Sequence, residues 1–342
     1  MRSNGSHGIR REKKTEMPST SNRTRSARYT LGLASAFIGA CFWGLSGVCI
    51  QYLQDASALN PLFITCIRAA TAAILFVFLI ALRYRAQLKA LLANPKYVAL
   101  TCLFGLGLFG SQSTYAVSTG ITNAGTATVL QMLASVFVLL IACLKTRRTP
   151  RFRELAAVVL AVAATWLIAT KGDAGALGIP IEGLAWGILN ALAVTLYLIV
   201  PERLYARFSS IMVIGCGICV SAVISIGALA VAALLAQHNA ASLVLPVSAI
   251  GPFSWLTLIG GAGILGTFAA FGMYLWGASI IGSVKGSLIG VAEPASACIL
   301  SAALLNTAFT GADWLGFILM AAMMAILALP QRNAERAAEN AR

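Results

Sequence analysis

Long apolar stretches alternate with short polar stretches along most of the 342-residue chain. A helix that crosses the hydrocarbon core of a bilayer needs about 20 apolar residues, because each residue rises about 1.5 Å and the core is about 30 Å thick. Stretches near this length cover residues 31–53, 62–82, 97–118, 123–144, 154–170, 183–203, 211–236, 253–279, 284–305 and 312–329. The pattern predicts an all-α membrane protein with ten transmembrane helices.

The composition agrees with this prediction. Hydrophobic residues make up 59% of the chain, charged residues make up 11%, and the mean hydropathy is +0.84. Soluble domains have about a quarter charged residues. The net charge of +14 would indicate a nucleic-acid partner in a soluble protein, but here Lys and Arg concentrate in the connections on one side of the predicted membrane. The positive-inside rule makes that side the cytoplasm. We predict a multi-pass protein of the cell (inner) membrane, with both termini cytoplasmic and no nucleic-acid partner.

An internal repeat divides the predicted helices into two groups of five. A shift of 159 residues aligns two segments of about 60 residues without a gap. The aligned pairs include Gly107 with Gly266, Tyr115 with Tyr274, Thr128 with Ser287, and Glu154 with Asp313. Because each half has an odd number of spans, the second half enters the membrane from the opposite side. The halves are therefore expected to be inverted repeats, an architecture that favours transport by alternating access.

Four regions follow from this division. Residues 1–30 are basic, rich in Ser, Thr and Asn, and lack the apolar core of a signal peptide, so a disordered cytoplasmic arm is expected. Residues 31–170 and 183–329 are expected to form the two five-helix repeats. Residues 330–342 are expected to form a polar cytoplasmic tail.

Arg68, Lys285 and Glu293 are ionisable side chains inside predicted spans. A charge at the centre of a spanning helix costs about 2.5–3.5 kcal/mol on insertion scales, so each marks a functional site unless it only pairs structurally. Pro294 follows Glu293 and should kink the helix, so the carboxyl is expected to face a cavity or a neighbouring helix. Helical rise places Arg68 and Glu293 at depths that differ by less than about 10 Å. Lys285 lies near a helix end, where a functional and a structural role are both open.

The sequence lacks the motifs of nucleotide binding, enzymatic catalysis and metal binding. No nucleotide-binding fingerprint is present, which disfavours ATP-driven transport by this chain. There is no Ser/His dyad, no His-rich metal motif and no paired intramembrane Asp, so we expect neither an enzyme nor a bound cofactor or metal. All eight cysteines lie in predicted spans, which disfavours disulfides. The pair Cys216 and Cys219 is interpreted as small apolar packing.

Four segments together resemble the EamA-type branch of the drug/metabolite transporter superfamily, with the carboxylate, amino-acid and amine exporters nearest. They are "FWGLSGVCIQYL" (42–53), "FITCIRAATAAILF" (63–76), "TNAGTATVLQMLASVF" (122–137) and "GSVKGSLIGVAEPASA" (282–297). The resemblance implies a ten-helix inner-membrane carrier, usually an exporter, with a central cavity lined by both halves. It implies substrate-binding positions at Trp43, Arg68, Tyr115, Gln131, Tyr274 and Glu293.

The sequence departs from the family pattern at one place. The family has a proline in the fourth helix, equivalent to Pro294, and an acidic residue before it. Here Ser135 replaces that proline and Ala134 replaces the acidic residue. The first half is therefore expected to have lost the charged kink. The central chemistry is expected to be asymmetric and concentrated in the second half.

These observations predict a secondary active transporter that exports small organic metabolites such as amino acids, amines or carboxylates. Arg68 is assigned to a substrate carboxylate or to Glu293, and Glu293 to proton coupling or to a substrate ammonium. Facilitated and proton-coupled transport both remain open, as do the substrate, the direction and the oligomeric state. The alternative function is a lipid or lysolipid flippase or scramblase, because an apolar cavity with one arginine could hold a phosphate headgroup.

Overall fold

The computed structural model describes residues 20–173, 175–235 and 250–328, and the regular structure in these ranges is helical. A π-helical segment, Thr257–Ala269, lies between α11 and α12. The α-helices are α1 (Thr20–Ser57), α2 (Pro61–Arg83), α3 (Arg85–Leu92), α4 (Pro95–Ile121), α5 (Ala124–Gln131), α6 (Ala134–Lys145), α7 (Phe152–Thr170), α8 (Ile181–Ile199), α9 (Glu202–Tyr205), α10 (Ser210–Leu235), α11 (Pro252–Leu256), α12 (Ala270–Ile281), α13 (Ser283–Ile289), α14 (Ala292–Leu305) and α15 (Gly311–Ala328).

Each of the ten predicted spans coincides with helix in the structure. Within the described ranges, eight spans are long and apolar enough to cross a membrane, and α4 reaches this standard together with α3, from which it is bent by 104°. The predicted span at 284–305 is divided into α13 and α14, and the longer piece has only 14 residues. The all-α fold is confirmed, and its ninth span is a broken helix.

Helix boundaries differ from the prediction at two places. Helix α1 begins at Thr20, so residues 20–30 of the expected disordered arm are helical. The rest of that arm and the tail at 330–342 lie outside the described residues. The hydropathy pattern does not predict α3, because two helical turns carrying Arg85 and Lys89 are too short and too polar to stand out.

Helix packing reproduces the internal repeat. Helix α1 of the first half packs along α12 of the second half, and at the equivalent position α8 packs along α4. Helix α2 packs on its counterpart α10, and α7 packs on its counterpart α15. If each helix is replaced by its counterpart in the other half, the same set of helix pairs results. A pseudo-two-fold axis between inverted repeats requires this.

The fifth helix of each half begins with an equivalent acidic cap. At the start of α7, Glu154 Oε2 accepts a hydrogen bond from Arg151 N at 2.7 Å, and at the start of α15, Asp313 Oδ2 accepts one from Thr310 N at 2.8 Å. These side chains satisfy amides that have no partner within the first helical turn. Glu154 also pairs with Arg148 at 2.7 Å, and this hydrogen bond raises the pKa of Arg148.

The fourth helix of each half is broken at the same place. The first half has a turn between α5 and α6, and the second half has one between α13 and α14. Met132 N donates to Val129 O at 3.0 Å, and Val291 N donates to Leu288 O at 3.3 Å. Both bonds span three residues, so both turns are tightened in the manner of a 3₁₀ helix. A shift of 159 residues relates the two bonds.

This symmetry corrects the expectation that the first half has lost its kink. Ala134 and Ser135 stand where the second half has Glu293 and Pro294, yet the helix still breaks before Ala134. A proline is therefore not required for the turn. The first half has lost the charge, and it has kept the break.

Glycine allows α1 and α12 to approach closely. A Cβ atom on Gly277 would meet the carbonyl oxygen of Gly32 and would lie 2.6 Å from Ala36 N. Since backbone atoms cannot move aside as a flexible side chain can, even one methyl group must separate the two helices. In contrast, a Cβ atom on Gly272, in the same helix, would meet no atom within 4 Å.

We expect Gly277→Ala to lower the stability of the protein by about 1–3 kcal/mol, the usual cost of overpacking. The measurement is the midpoint of thermal unfolding in detergent, with Gly272→Ala as the matched control. The control should leave the midpoint unchanged or raise it slightly, because alanine favours helix over glycine. Equal midpoints for the two variants would contradict this account of the α1–α12 contact.

Candidate functional site

A cavity of about 80 Å³ lies between the two halves. A single water needs about 10–15 Å³ on the same measure, so the cavity has room for several waters. Helices α1, α2, α4 and α5 contribute from the first half, and α8, α12 and α14 contribute from the second. Five of the six predicted substrate-binding residues line it: Trp43, Arg68, Tyr115, Gln131 and Glu293.

The two helix breaks meet at this cavity. Gln131 is the last residue of α5, and Glu293 lies in the first turn of α14. Gln131 Nε2 donates a hydrogen bond to Glu293 Oε1 at 3.0 Å. Both side chains are only half-buried because they face the cavity. This bond links the first half to the second at the cavity.

The start of α14 suits a carboxylate. Pro294 is tolerated there because an amide in the first turn has no partner within the helix, and a negative side chain near a helix N-terminus is favoured by the helix dipole. Gly44 brings α1 against this turn, since a Cβ atom on Gly44 would lie 2.7 Å from the carbonyl oxygen of Glu293. Pro294 therefore lies in the first turn of α14 without breaking it, and Glu293 is presented at the N-terminal end of that helix.

Arg68 is held by a hydroxyl group in the π-helical segment. The side chain is 8% exposed, and its Nε and Nη2 atoms donate to Thr267 Oγ1 at 3.3 and 3.1 Å. Thr267 in turn donates to Ala262 O at 2.9 Å, five residues earlier, which is the spacing of a π-helix. In the described part of the chain no ion pair joins Arg68 to Glu293. The two charges share a cavity and are held separately.

Two polar atoms in the cavity wall lack a hydrogen-bond partner among the described residues. They are Ser46 Oγ and Gln112 Oε1, and both are buried. A buried polar group without a partner costs about 1–3 kcal/mol, so water or a ligand should satisfy these atoms. The sequence shows both residues as polar positions in apolar spans, but nothing in it distinguishes them from residues that only join helices.

Asn190 is a polar residue that joins two helices. Its Nδ2 atom donates to Ser111 O at 2.6 Å and to Thr114 Oγ1 at 3.2 Å. Both acceptors belong to α4, and the residue is fully buried. Asn190 therefore joins α8 to α4 and does not line the cavity.

Tyr115 and Tyr274, which the repeat aligns, each form a hydrogen bond through the side-chain hydroxyl. The hydroxyl of Tyr115 is 2.8 Å from Thr128 Oγ1, and the hydroxyl of Tyr274 donates to Gly286 O at 3.0 Å. Each bond joins the third span of a half to its fourth. Tyr115 lines the cavity, whereas Tyr274 packs behind Trp43 with ring centroids 4.8 Å apart. Tyr274 thus supports the aromatic wall from outside.

Lys285 lies away from the cavity. Its side chain is exposed, its Nζ atom donates to the hydroxyl of Tyr29 at 2.6 Å, and it lies 4.7 Å from the centre of that ring. The contact joins α13 to the beginning of α1. This arrangement fits the structural interpretation of Lys285.

A second polar cluster joins the halves through Gln51. Its Oε1 atom accepts from Ala124 N at 2.9 Å and from Ser301 Oγ at 2.8 Å, and its Nε2 atom donates to Thr307 Oγ1 at 3.1 Å. These contacts tie α1 to the start of α5, to the last turns of α14 and to the segment that follows α14. None of the four residues lines the cavity. The cluster closes the bundle at the opposite end of α5 from the Gln131–Glu293 bond.

Relatives of known sequence agree on a transporter. The chain is 32% identical over 308 residues to a protein of Salmonella typhimurium (strain LT2) named "Uncharacterized inner membrane transporter YicL", covering 90% of this chain and 98% of that one. It is 28% identical over 174 residues to an "Uncharacterized transporter" of Archaeoglobus fulgidus, covering 50% and 57%. A crystal structure with 19% identity matches 91% of this chain and 99% of its own, with a TM-score of 0.57, which shows a shared fold.

A family model matches the chain twice. The model of the EamA-like transporter family covers residues 30–170 and again residues 181–329. These two matches include most of the chain and separate the same two halves that the packing shows. They indicate a membrane transporter rather than an enzyme. The chain belongs to the EamA-like transporter family.

Proposed function

We propose that the protein is a secondary active transporter that exports small organic metabolites such as amino acids, amines or carboxylates by alternating access. The observation that carries this proposal is the central cavity, which contains a cation and a carboxylate that do not pair with each other. A zwitterion could bridge Arg68 and Glu293, while a simpler amine or acid would use one of them. The predicted orientation, with both termini cytoplasmic, belongs to the proposal.

Arg68 suits the recognition of a carboxylate. A guanidinium group has five N–H donors in a planar fork and stays charged at physiological pH. Thr267 engages the Nε and Nη2 side of this group, which fixes its plane while leaving donors for a ligand. Ser46 and Gln112 provide further polar atoms in the same wall.

Glu293 suits proton coupling by competition. Its carboxylate accepts a neutral hydrogen bond from Gln131, so either a proton or a substrate ammonium could neutralise the charge. A single carboxylate cannot hold both, and ligands that compete for one site exclude each other. Protonation from one side would then release the substrate, and loss of the proton to the other side would allow the next substrate to bind.

The two breaks provide the hinges that alternating access needs. Short 3₁₀ turns within longer helices often mark such hinges, and here the residues beside the two turns meet at the cavity. The Gln51 cluster would have to separate when its end of the bundle opens. Each of its hydrogen bonds contributes about 0.5–1.5 kcal/mol to the stability of the closed state. This free energy is regained when the bonds form again on closing.

The flippase alternative receives less support. The cavity with the arginine is small and has polar groups in its wall. A larger apolar cavity elsewhere in the described residues shares none of its lining residues with it. A phosphate headgroup held by Arg68 would therefore have no apolar path beside it for its acyl chains in this conformation.

The substrate can be found by an export screen. Extracellular metabolites would be compared between cells that contain the protein and cells that lack it. The metabolite with the largest excess would then be tested for direct transport in vesicles that contain purified protein. An excess of lysolipid instead of a metabolite would favour the flippase alternative.

We expect Glu293→Gln to abolish the response of transport to a proton gradient, because glutamine can neither release nor accept the coupled proton. Efflux of preloaded substrate from proteoliposomes is measured with and without acidification of the outer solution. Glu182→Gln, which changes an exposed carboxylate at the start of α8, should behave like the unchanged protein. Coupling through Glu293 is wrong if the Gln variant still responds to the gradient.

We expect Thr267→Val to weaken substrate binding by roughly tenfold, the effect of losing a hydrogen bond of about 1.5 kcal/mol to a charged group. The physical reason is that Arg68 loses the acceptor that fixes its plane. Thr267→Ser keeps the hydroxyl and should restore binding, which is measured as the concentration dependence of uptake. Thr257→Val, in the same segment, removes a hydroxyl whose partner among the described residues is Phe253 O, and it should have no effect. Equal affinities for Thr267→Val and Thr257→Val would contradict this role.

A further inference from the structure

A second cavity, of about 350 Å³, opens between α2, α3, α4 and α10. We call it the lateral groove. Its wall is apolar apart from Thr101 and includes the thiols of Cys102, Cys216 and Cys219. Val77 and Leu92, at its edge, are 55% and 59% exposed, so the groove opens on the outer surface of the helix bundle. In a membrane-spanning protein this surface faces lipid.

Helix α3 forms one wall of the lateral groove. Leu88, Leu91 and Leu92 all line it, and α4 is bent by 104° away from α3. Gln87 fixes the helix in this position, because its Oε1 atom accepts a hydrogen bond from Ser209 N at 2.9 Å, next to the start of α10. An amphipathic helix with its apolar side on a groove and its polar side exposed is typical of the membrane interface.

Basic residues lie close in sequence to the lining residues at the α3 end of the groove. Arg83, Arg85, Lys89 and Lys96 are all exposed, and residues 61–121 contain neither Asp nor Glu. Arg85 and Lys89 are four residues apart, so they lie on the same side of α3. At 100° per residue, that side borders the one that carries Leu88 and Leu92. A ligand in the groove could therefore contact both the leucines and the basic side chains.

We propose that the lateral groove binds an anionic phospholipid, with an acyl chain between α2, α4 and α10 and the phosphate held by Arg85 and Lys89. The apolar wall and lateral opening fit an acyl chain, and the uncompensated positive charge at one end fits an anionic headgroup. The proposal also accounts for Cys216 and Cys219, which form part of the apolar wall. It does not depend on the transported substrate.

The test uses full-length protein in nanodiscs of phosphatidylcholine. A small fraction of either phosphatidylglycerol or phosphatidylcholine carries a photoreactive group at the end of one acyl chain, and mass spectrometry locates the crosslinks. We expect the phosphatidylglycerol probe to label the residues of the lateral groove in excess over the phosphatidylcholine probe. Arg85→Gln with Lys89→Gln should reduce this excess by roughly fivefold per removed charge.

Lys145→Gln with Arg147→Gln is the matched control. It removes the same charge from an exposed pair at the end of α6 and should leave the excess unchanged. Equal labelling by the two probes, or equal loss of the excess in both double variants, would overturn the proposal. A photoreactive fatty alcohol, which has no phosphate, should label the groove less than the phosphatidylglycerol probe does. Equal labelling by these two probes would also overturn the proposal, because the headgroup would then have no role.

Discussion

The hydrogen bond from Gln131 to Glu293 lies where the two broken helices meet, and much of the structure follows from those breaks. A broken helix leaves backbone polar groups that lipid cannot satisfy, so it has to lie inside the bundle or beside a cavity. The fold meets this constraint by placing α5 against α14 between the two halves. The cavity, its carboxylate and the contact between the repeats are therefore consequences of one arrangement.

Helix α1 completes this arrangement by packing on the second half along most of its length. It contacts the π-helical segment, α12 and α14, and glycines at the contacts bring the backbones together. Ser46 and Trp43 on the same helix face the cavity, while Gln51 lies in the polar cluster that closes one end of the bundle. Movement of α1 relative to α14 would change the cavity and the closing cluster together, which is the coupling that alternating access requires.

The positions of the helices, the repeat and most of the cavity residues could be predicted from sequence, because apolar length and a 159-residue similarity are directly visible in it. The break before Ala134 could not be predicted, since no proline or glycine marks it and the tertiary fold imposes it. The partner of Arg68 could not be predicted either, because Thr267 reaches it from a π-helix, which the apolar stretch at 253–279 does not distinguish from an α-helix. Ser46 and Asn190 look alike in sequence, and only the structure shows that the first lines the cavity while the amide nitrogen of the second joins two helices.

A double-mutant cycle between Gln131 and Glu293 tests most directly whether these residues act as one unit across the breaks. The substrate concentration that gives half-maximal exchange, with equal pH on both sides of the membrane, is measured in proteoliposomes for Gln131→Leu, for Glu293→Gln and for the double variant. If Gln131 acts through the carboxyl of Glu293, removing it has no further effect once Glu293 is changed, so the double variant should match Glu293→Gln. If the two losses of affinity simply multiply, the residues act independently and the contact between the broken helices does not shape the substrate site.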